Sequence, residues 1–322
     1  MSGLPNQQVQ VISELADHVA IGLASTPKYL SSKFFYDDRG SKLFQEIMQL
    51  SEYYLTRAEN KILREQSHAI YQNLYFETAF NVVELGAGDG SKTRHLLGHL
   101  LDSGVEFTYC PIDISRQAIV DLSVKLDKHL PNLDVRPYVG DYFDMLEEVI
   151  SSNRPTLVLF LGSNIGNFEN DAAIEMLSLV CDALMEGDKL LLGVDLKKNP
   201  NIIRKAYFDE RRITAAFNLN LLRRINRELG ANFNEDQFDF YSHYDPITGD
   251  VRSYLISLVK QEVDIPALRR RFPFGRNEII RTELSKKYAL QEVEMLAERS
   301  GYQVIRHFKD PDAYFTDSLW VK

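Results

Sequence analysis

Apolar and polar positions change period several times along this chain. Val9, Ile12, Leu15, Val19 and Leu23 recur at helical spacing within residues 7 to 24, which predicts an amphipathic helix ahead of any sheet. Two stretches rich in rings and charges follow, Lys33-Phe34-Phe35-Tyr36-Asp37-Asp38-Arg39-Gly40-Ser41 and Glu52-Tyr53-Tyr54-Leu55-Thr56-Arg57-Ala58-Glu59. They read as loops whose aromatics either staple the chain or roof a pocket. From 57 to 196, apolar runs near 81–85, 107–112, 135–139, 156–161 and 188–195 alternate with helical runs, the pattern of a parallel α/β sheet. Past Asp195 the alternation stops. Ile202 to Leu229 reads as helical, and runs at 238–244 and 251–260 read as strands joined by a hairpin turn, Asp245-Pro246-Ile247-Thr248-Gly249-Asp250. Glu278 to Leu284 adds a strand. A helix at Leu290 to Arg299 and runs at 302–308 and 314–321 predict an antiparallel pair that rejoins the sheet.

The chemistry centres on Val82-Val83-Glu84-Leu85-Gly86-Ala87-Gly88-Asp89-Gly90-Ser91-Lys92-Thr93. Asn81 to Leu85 is a buried strand and Ser91 to Leu101 the helix after it, with glycines between. Glycines let backbone approach a ligand, and the helix start presents its positive end, so a nucleotide-like molecule is expected there. The dinucleotide fingerprint needs a third glycine at its sixth position. Here that position is Ser91, and the third glycine falls one residue early, at Gly90. Glu84 stands two residues before the first glycine, and acidic walls suit a sulfonium cofactor, which is cationic and has no phosphate. Asp113 ends the next apolar run, where a carboxylate accepts both ribose hydroxyls, although that aspartate alone would serve NAD equally well. Asp141 ends the run after that and can accept from an adenine amino group. Each feature alone is common as a cap or turn. Three acids and a glycine turn at the ends of three consecutive strands, roughly 28 residues apart as βα units allow, favour S-adenosylmethionine.

Composition narrows the class. The 322 residues are enough for one large domain or two medium ones, and 44% hydrophobic with 26% charged residues describes an ordinary globular protein. A net charge of -9 argues against a nucleic-acid partner, and Arg269-Arg270-Arg271 reads as a solvated turn. Cys110 and Cys181 lie in apolar runs without metal-ligand spacing, as reduced core thiols. No run approaches the ~20 apolar residues of a membrane span, and no basic segment followed by an apolar one opens the chain. No metal, no membrane, a cytoplasmic location and a monomeric state are expected.

The fourth strand runs into Phe160-Leu161-Gly162-Ser163-Asn164-Ile165-Gly166-Asn167-Phe168. Ligands lie beyond the carboxyl ends of such strands, so this loop should face the cofactor's reactive end. Asn164 and Asn167 offer amide groups there, while Asn170 reads as a helix cap.

Several segments together resemble one family, the histidine Nα-methyltransferases of the ergothioneine pathway. They are Lys33 to Asp37 with Gly40-Ser41, Glu52-Tyr53-Tyr54 with Thr56-Arg57, Glu84-Leu85-Gly86, Phe160 to Asn167, Leu191-Leu192-Gly193-Val194-Asp195, Thr214 to Asn218, and Glu283-Leu284-Ser285. The resemblance runs nearly the full length. It implies an α/β fold, a Rossmann-like class I methyltransferase sheet of seven strands with a second, inserted substrate-binding domain. Residues 57–196 with 287–322 would form the methyltransferase domain, and 1–56 with 197–286 the substrate-binding domain.

The resemblance also implies roles. Gly86, Lys92, Asp113 and Asp141 match cofactor contacts. Asn167 and Tyr207 match the grip on the substrate carboxylate, Tyr36 and Gly162 lie by the α-amino group, and Tyr53, Glu283 and Ser285 match the imidazole contacts. Glu283 and Ser285, two apart in a strand, point to the same side. Ser253 stands where the family has a methionine near the imidazole, and Asn164 where it usually has a threonine. The expected reaction is trimethylation of L-histidine to hercynine, with Tyr36 orienting the amine. The competing expectations are methylation of another amino acid, a dinucleotide oxidoreductase, and a non-catalytic module that keeps the fold.

Overall fold

The computed structural model describes residues 4–140, 142–150 and 154–322. The chain divides into two compact units, Met1–Tyr54 with Lys198–Ser285, and Leu55–Lys197 with Lys286–Lys322.

The second unit is built on the parallel sheet that the alternating runs predict. Phe80–Leu85 lies between Phe107–Asp113 and Thr156–Phe160, and Lys189–Asp195 pairs with the latter, all four parallel. Phe315–Val321 is antiparallel to Lys189–Asp195, and Gln303–Lys309 antiparallel to Phe315–Val321. That is the returning pair expected at the end of the chain. Every residue of Phe80–Leu85 is buried, as a continuous apolar run requires of a central strand covered on both faces. The chain leaves this strand to one side and comes back on the other, so a crevice opens at its carboxyl end, at the glycine turn.

Among the described residues the sheet has eight strands rather than the expected seven. The run 135–139 is not one strand: Asp134–Val135 and Tyr138–Val139 pair separately with Phe107–Asp113. Pro137 falls between them and has no N–H to continue a ladder.

One sheet face carries Val83, Leu85, Cys110, Ile112 and Trp320, in a core with residues of the helices Tyr142–Ile150, Asn170–Ala183 and Leu290–Arg299. Strand alternation turns Glu84, Tyr109, Gly193 and Asp317 to the opposite face, where the helix Leu55–Gln72 packs. Both cysteines are buried free thiols, and no described helix is long and apolar enough to cross a membrane.

The first unit pairs helices with a smaller sheet ordered Lys28–Tyr29, Ile279–Lys286, Asp250–Ser257, Phe238–Tyr244. The expected hairpin is present: Asp245 N–H donates to the Asp250 carbonyl at 2.9 Å, and Gly249 adopts φ +85°. Other expectations need correction. The ring-rich stretches read as loops contain helix starts, at Asp38–Gln49 in this unit and Leu55–Gln72 in the other. Asp37 caps the first, its Oδ1 accepting the Gly40 N–H at 2.7 Å. Short-range capping chemistry thus outweighed aromatic content.

The stretch 202–229 is two helices, Pro200–Tyr207 and Ile213–Leu229. Asp209 breaks it by accepting the N–H groups of Ile213 and Thr214, each at 2.8 Å, while Arg212 sits at φ +57°. Arg270 and Arg271 begin a strand, Arg270–Phe274, that pairs with Gln261–Ile265, so only Arg269 belongs to a turn.

Candidate active site

In the sheet unit the glycine turn is shaped by its own backbone. Gly86, Gly88 and Gly90 all have positive φ, at +73°, +56° and +63°, a region that costs other residues strain. A Cβ on Gly88 would meet no atom within 4 Å, which leaves open space over the turn. Asp113 closes it from the next strand: Oδ2 accepts the Gly88 N–H at 3.2 Å and Oδ1 the Ser115 N–H at 2.8 Å. Burial pushes this carboxyl up, against the pull of those two bonds. Each oxygen keeps acceptor capacity for a further partner. Open backbone at the turn and a carboxylate at the strand end fit a cofactor with a ribose.

The helix after the turn begins at Arg94, later than the expected Ser91. Thr93 is diverted, because its hydroxyl donates to Glu84 Oε1 at 2.5 Å rather than capping the helix. Glu84 is therefore no cofactor wall. It is 3% exposed, and its other oxygen accepts the Tyr109 hydroxyl. Burial drives it up to about 7, although bonds from Thr93 and Tyr109 pull the other way. The same burial, with the Glu84 carboxylate adjacent, raises the Tyr109 phenol well above its ordinary value.

Lys92 pairs with Glu59, a residue that no sequence signal singled out. Burial alone would lower the ammonium, but the Glu59 carboxylate wins and holds its pKa above the ordinary value. Gly162 lies close by: a Cβ there would stand 3.5 Å from Lys92 Nζ, and Gly162 has φ +80°. Asn167 ends the 3-10 turn Asn164–Asn167 and is exposed. Asn170 is the first residue of its helix, not the cap, which is Glu169. Asp141, expected at the adenine, lies outside the described residues.

In the other unit, three tyrosines named from the sequence belong to one aromatic cluster. Tyr36 meets Phe44 and Phe217 edge-on at 5.5 and 5.7 Å between ring centroids, Phe44 meets Tyr53 at 6.4 Å, and Tyr53 meets Tyr207 at 6.2 Å. Phe44 and Phe217 join the tyrosines, and only their spatial packing reveals it. Tyr36 remains 46% exposed, although Phe44 and Phe217 hold its ring. Gly40 supports this arrangement, since a Cβ there would stand 1.8 Å from the Phe35 carbonyl oxygen. Asp37 beside it also accepts from Asn220 at 2.8 Å and Arg227 at 2.7 Å. Despite burial, these bonds hold its carboxyl below the ordinary range.

Glu283 and Ser285 lie on the strand Ile279–Lys286. The Ser253 hydroxyl donates to Glu283 Oε2 at 3.3 Å, and the Ser285 and Tyr207 hydroxyls are 2.8 Å apart. Ser285 and Tyr207 are each 6% exposed. A carboxylate and a hydroxyl offered on one side of a strand, beside two tyrosine rings, can receive a flat heteroaromatic group with one donor and one acceptor. Among the described residues no cluster could hold a metal ion.

The chain is similar to known proteins along nearly its whole length. The family described as histidine-specific, S-adenosylmethionine-dependent methyltransferases matches residues 15–322. The histidine N-alpha-methyltransferase of Mycolicibacterium smegmatis is 35% identical over 304 residues, 94% of each chain. That of Mycobacterium tuberculosis is 34% identical over 317 residues, 97% of this chain and 98% of its own. A more distant relative, the N-methyltransferase imqF of Aspergillus flavus, is 27% identical across 94% of this chain and 83% of its own.

Proposed function

The chain belongs to the histidine-specific, S-adenosylmethionine-dependent methyltransferases, and on that premise we propose that it trimethylates the α-amino group of L-histidine to hercynine, opening ergothioneine synthesis. The carrying observation is the pair Glu283 and Ser285 on one strand, with Ser253 on the carboxylate and Tyr207 on the hydroxyl. Neutral imidazole has one donor and one acceptor nitrogen and satisfies both groups. Tyrosine or tryptophan would satisfy only one, leaving a half-buried polar group without its partner.

Gly86, Lys92 and Asp113 are the described residues that would hold the cofactor, with Asp113 accepting ribose hydroxyls and the open backbone at Gly88 admitting the chain's ligand. When bound, S-adenosylmethionine supplies an electrophilic methyl on a cationic sulfur. Methyl transfer is an in-line displacement, so the protein's task is to align a neutral amine lone pair rather than to provide a nucleophile. Tyr36, its ring fixed by Phe44 and Phe217, orients the amine directly or through water. Asn167 and Tyr207 take the substrate carboxylate, Gly162 lies by the amine, and Tyr53 packs against the imidazole. The buried free thiols are in keeping with a reducing, cytoplasmic setting.

Two observations favour a second reading, in which another amino acid is the substrate. Ser253 is a small residue beside Glu283, and imqF, with N-methyltransferase activity in its name, is a relative. Incubation with S-adenosylmethionine and each common amino acid singly, followed by mass spectrometry, is expected to give histidine gaining three methyls. Three methyls on another amino acid, with histidine untouched, would keep the enzyme class and overturn the substrate.

A further inference from the structure

Glu59, on the helix Leu55–Gln72, is 1% exposed. A buried carboxylate is costly unless it is both charge-paired and hydrogen-bonded, and Glu59 meets both conditions with residues remote in sequence. Its Oε1 accepts the Gly162 N–H at 2.6 Å, and its Oε2 accepts the Lys92 ammonium. One side chain therefore ties the loop after Phe80–Leu85 to the loop after Thr156–Phe160, the two strand ends that border the crevice.

The sheet makes room for it. A Cβ on Gly193 would stand 2.2 Å from Glu59 Oε1 and 3.1 Å from the Gly162 nitrogen. Gly193 sits in a regular strand without positive φ, so its lack of a side chain answers to close approach and not to backbone conformation. Asp317, opposite Gly193 in the ladder, is wholly buried with neither carboxyl oxygen hydrogen-bonded. Burial, and after it the Glu59 carboxylate, push its pKa well up. That direction favours the neutral acid, and the ammonium of Lys92 pairs with Glu59.

We propose that Glu59 is a positioning residue for the cofactor: through one carboxylate it fixes the spacing of Lys92 and Gly162 and balances the lysine's charge beside a cationic ligand. This rests on the assignment of Lys92 to the cofactor made above. The Gln variant keeps an oxygen for the Gly162 N–H and removes the charge, which separates the two roles.

The test is a double-mutant cycle on the full chain, reading S-adenosylmethionine affinity by calorimetry for Glu59→Gln, Lys92→Met and the pair. Both single variants are expected to bind at least about tenfold more weakly, and the pair no more than about threefold more weakly than Lys92→Met, because coupled residues are not additive. A purely architectural Glu59 would instead add its full effect in the Lys92→Met background. That additivity, or unchanged affinity in Glu59→Gln while Lys92→Met weakens binding, overturns the inference alone. Unchanged affinity in Lys92→Met overturns the cofactor assignment and the inference with it. If Glu59→Gln does not fold, Glu59→Asp, one methylene shorter and still charged, enters the same cycle with the same expectations.

Discussion

The Tyr207 and Ser285 hydroxyls lie 2.8 Å apart although 78 residues separate them in sequence, and both are buried. One of the two donates, so each fixes the other's orientation. Tyr207→Phe removes one partner and keeps the ring against Tyr53. The expected outcome is a histidine KM raised by the equivalent of roughly 1 to 3 kcal/mol, with the cofactor KM little changed. Steady-state kinetics varying each substrate checks it, and equal effects on both would make Tyr207 a fold residue only.

Glu283→Ala removes the carboxylate that Ser253 steadies. Its preference for histidine over other amino acids should vanish, read as the ratio of kcat/KM values in competition. Ser253→Ala, which removes one long bond to that carboxylate, at 3.3 Å, should raise the histidine KM by about 1 kcal/mol or less. A larger loss from Ser253→Ala than from Glu283→Ala would contradict this order of roles.

Asp113→Ala should weaken S-adenosylmethionine binding by at least about tenfold, roughly the 1 to 3 kcal/mol of a lost charged acceptor. Asp113 joins Gly88 and Ser115 through their N–H groups but adds little to the core, so the far-ultraviolet spectrum should be unchanged. Calorimetry with unchanged affinity would remove Asp113 from the cofactor site.

Glu84 carries a pH signature. Its pKa in the folded chain is raised from the ordinary 4.5 to about 7, so between those values the unfolded chain has lost a proton that the folded chain keeps. Stability contributed by this group therefore falls as pH rises from 4.5 to 7 and is level above, with a total near 3 kcal/mol. Glu84→Gln should abolish that slope, so its melting temperature should gain on the native protein as pH rises through the window. A constant offset between the two across that window would show that folding does not raise the Glu84 pKa.

Gly40→Ala places a methyl 1.8 Å from the Phe35 carbonyl oxygen, and backbone must move to admit it. A loss of roughly 2 kcal/mol or more is expected, measured by denaturant unfolding. Since Tyr36 adjoins this contact, kcat should fall as well. A native-like melting curve with full kcat would mean the segment is loose enough to absorb the methyl.

Much of this protein was determined by the sequence itself. The order of buried strands, the returning antiparallel pair and the hairpin at Asp245 to Asp250 depend on short-range period and turn chemistry, which a contiguous stretch records. The glycine turn with Asp113 was legible for the same reason, since both lie at strand ends that alternation locates. Glu283 and Ser285 could be placed on one side of a strand by parity alone. Helix starts at Asp38 and Leu55 were hidden because ring-rich composition resembles a loop until the Asp37 cap is recognised. Only the tertiary structure decided what Glu84 does, because burial beside Thr93 and Tyr109 turns an apparent cofactor wall into an internal brace. It alone also decided the partner of Lys92 and the link from Glu59 to Gly162, 103 residues apart. Such contacts depend on how a helix lies across a sheet and where a glycine leaves space. No local period encodes them, since their energy appears only when the remote segments are already packed.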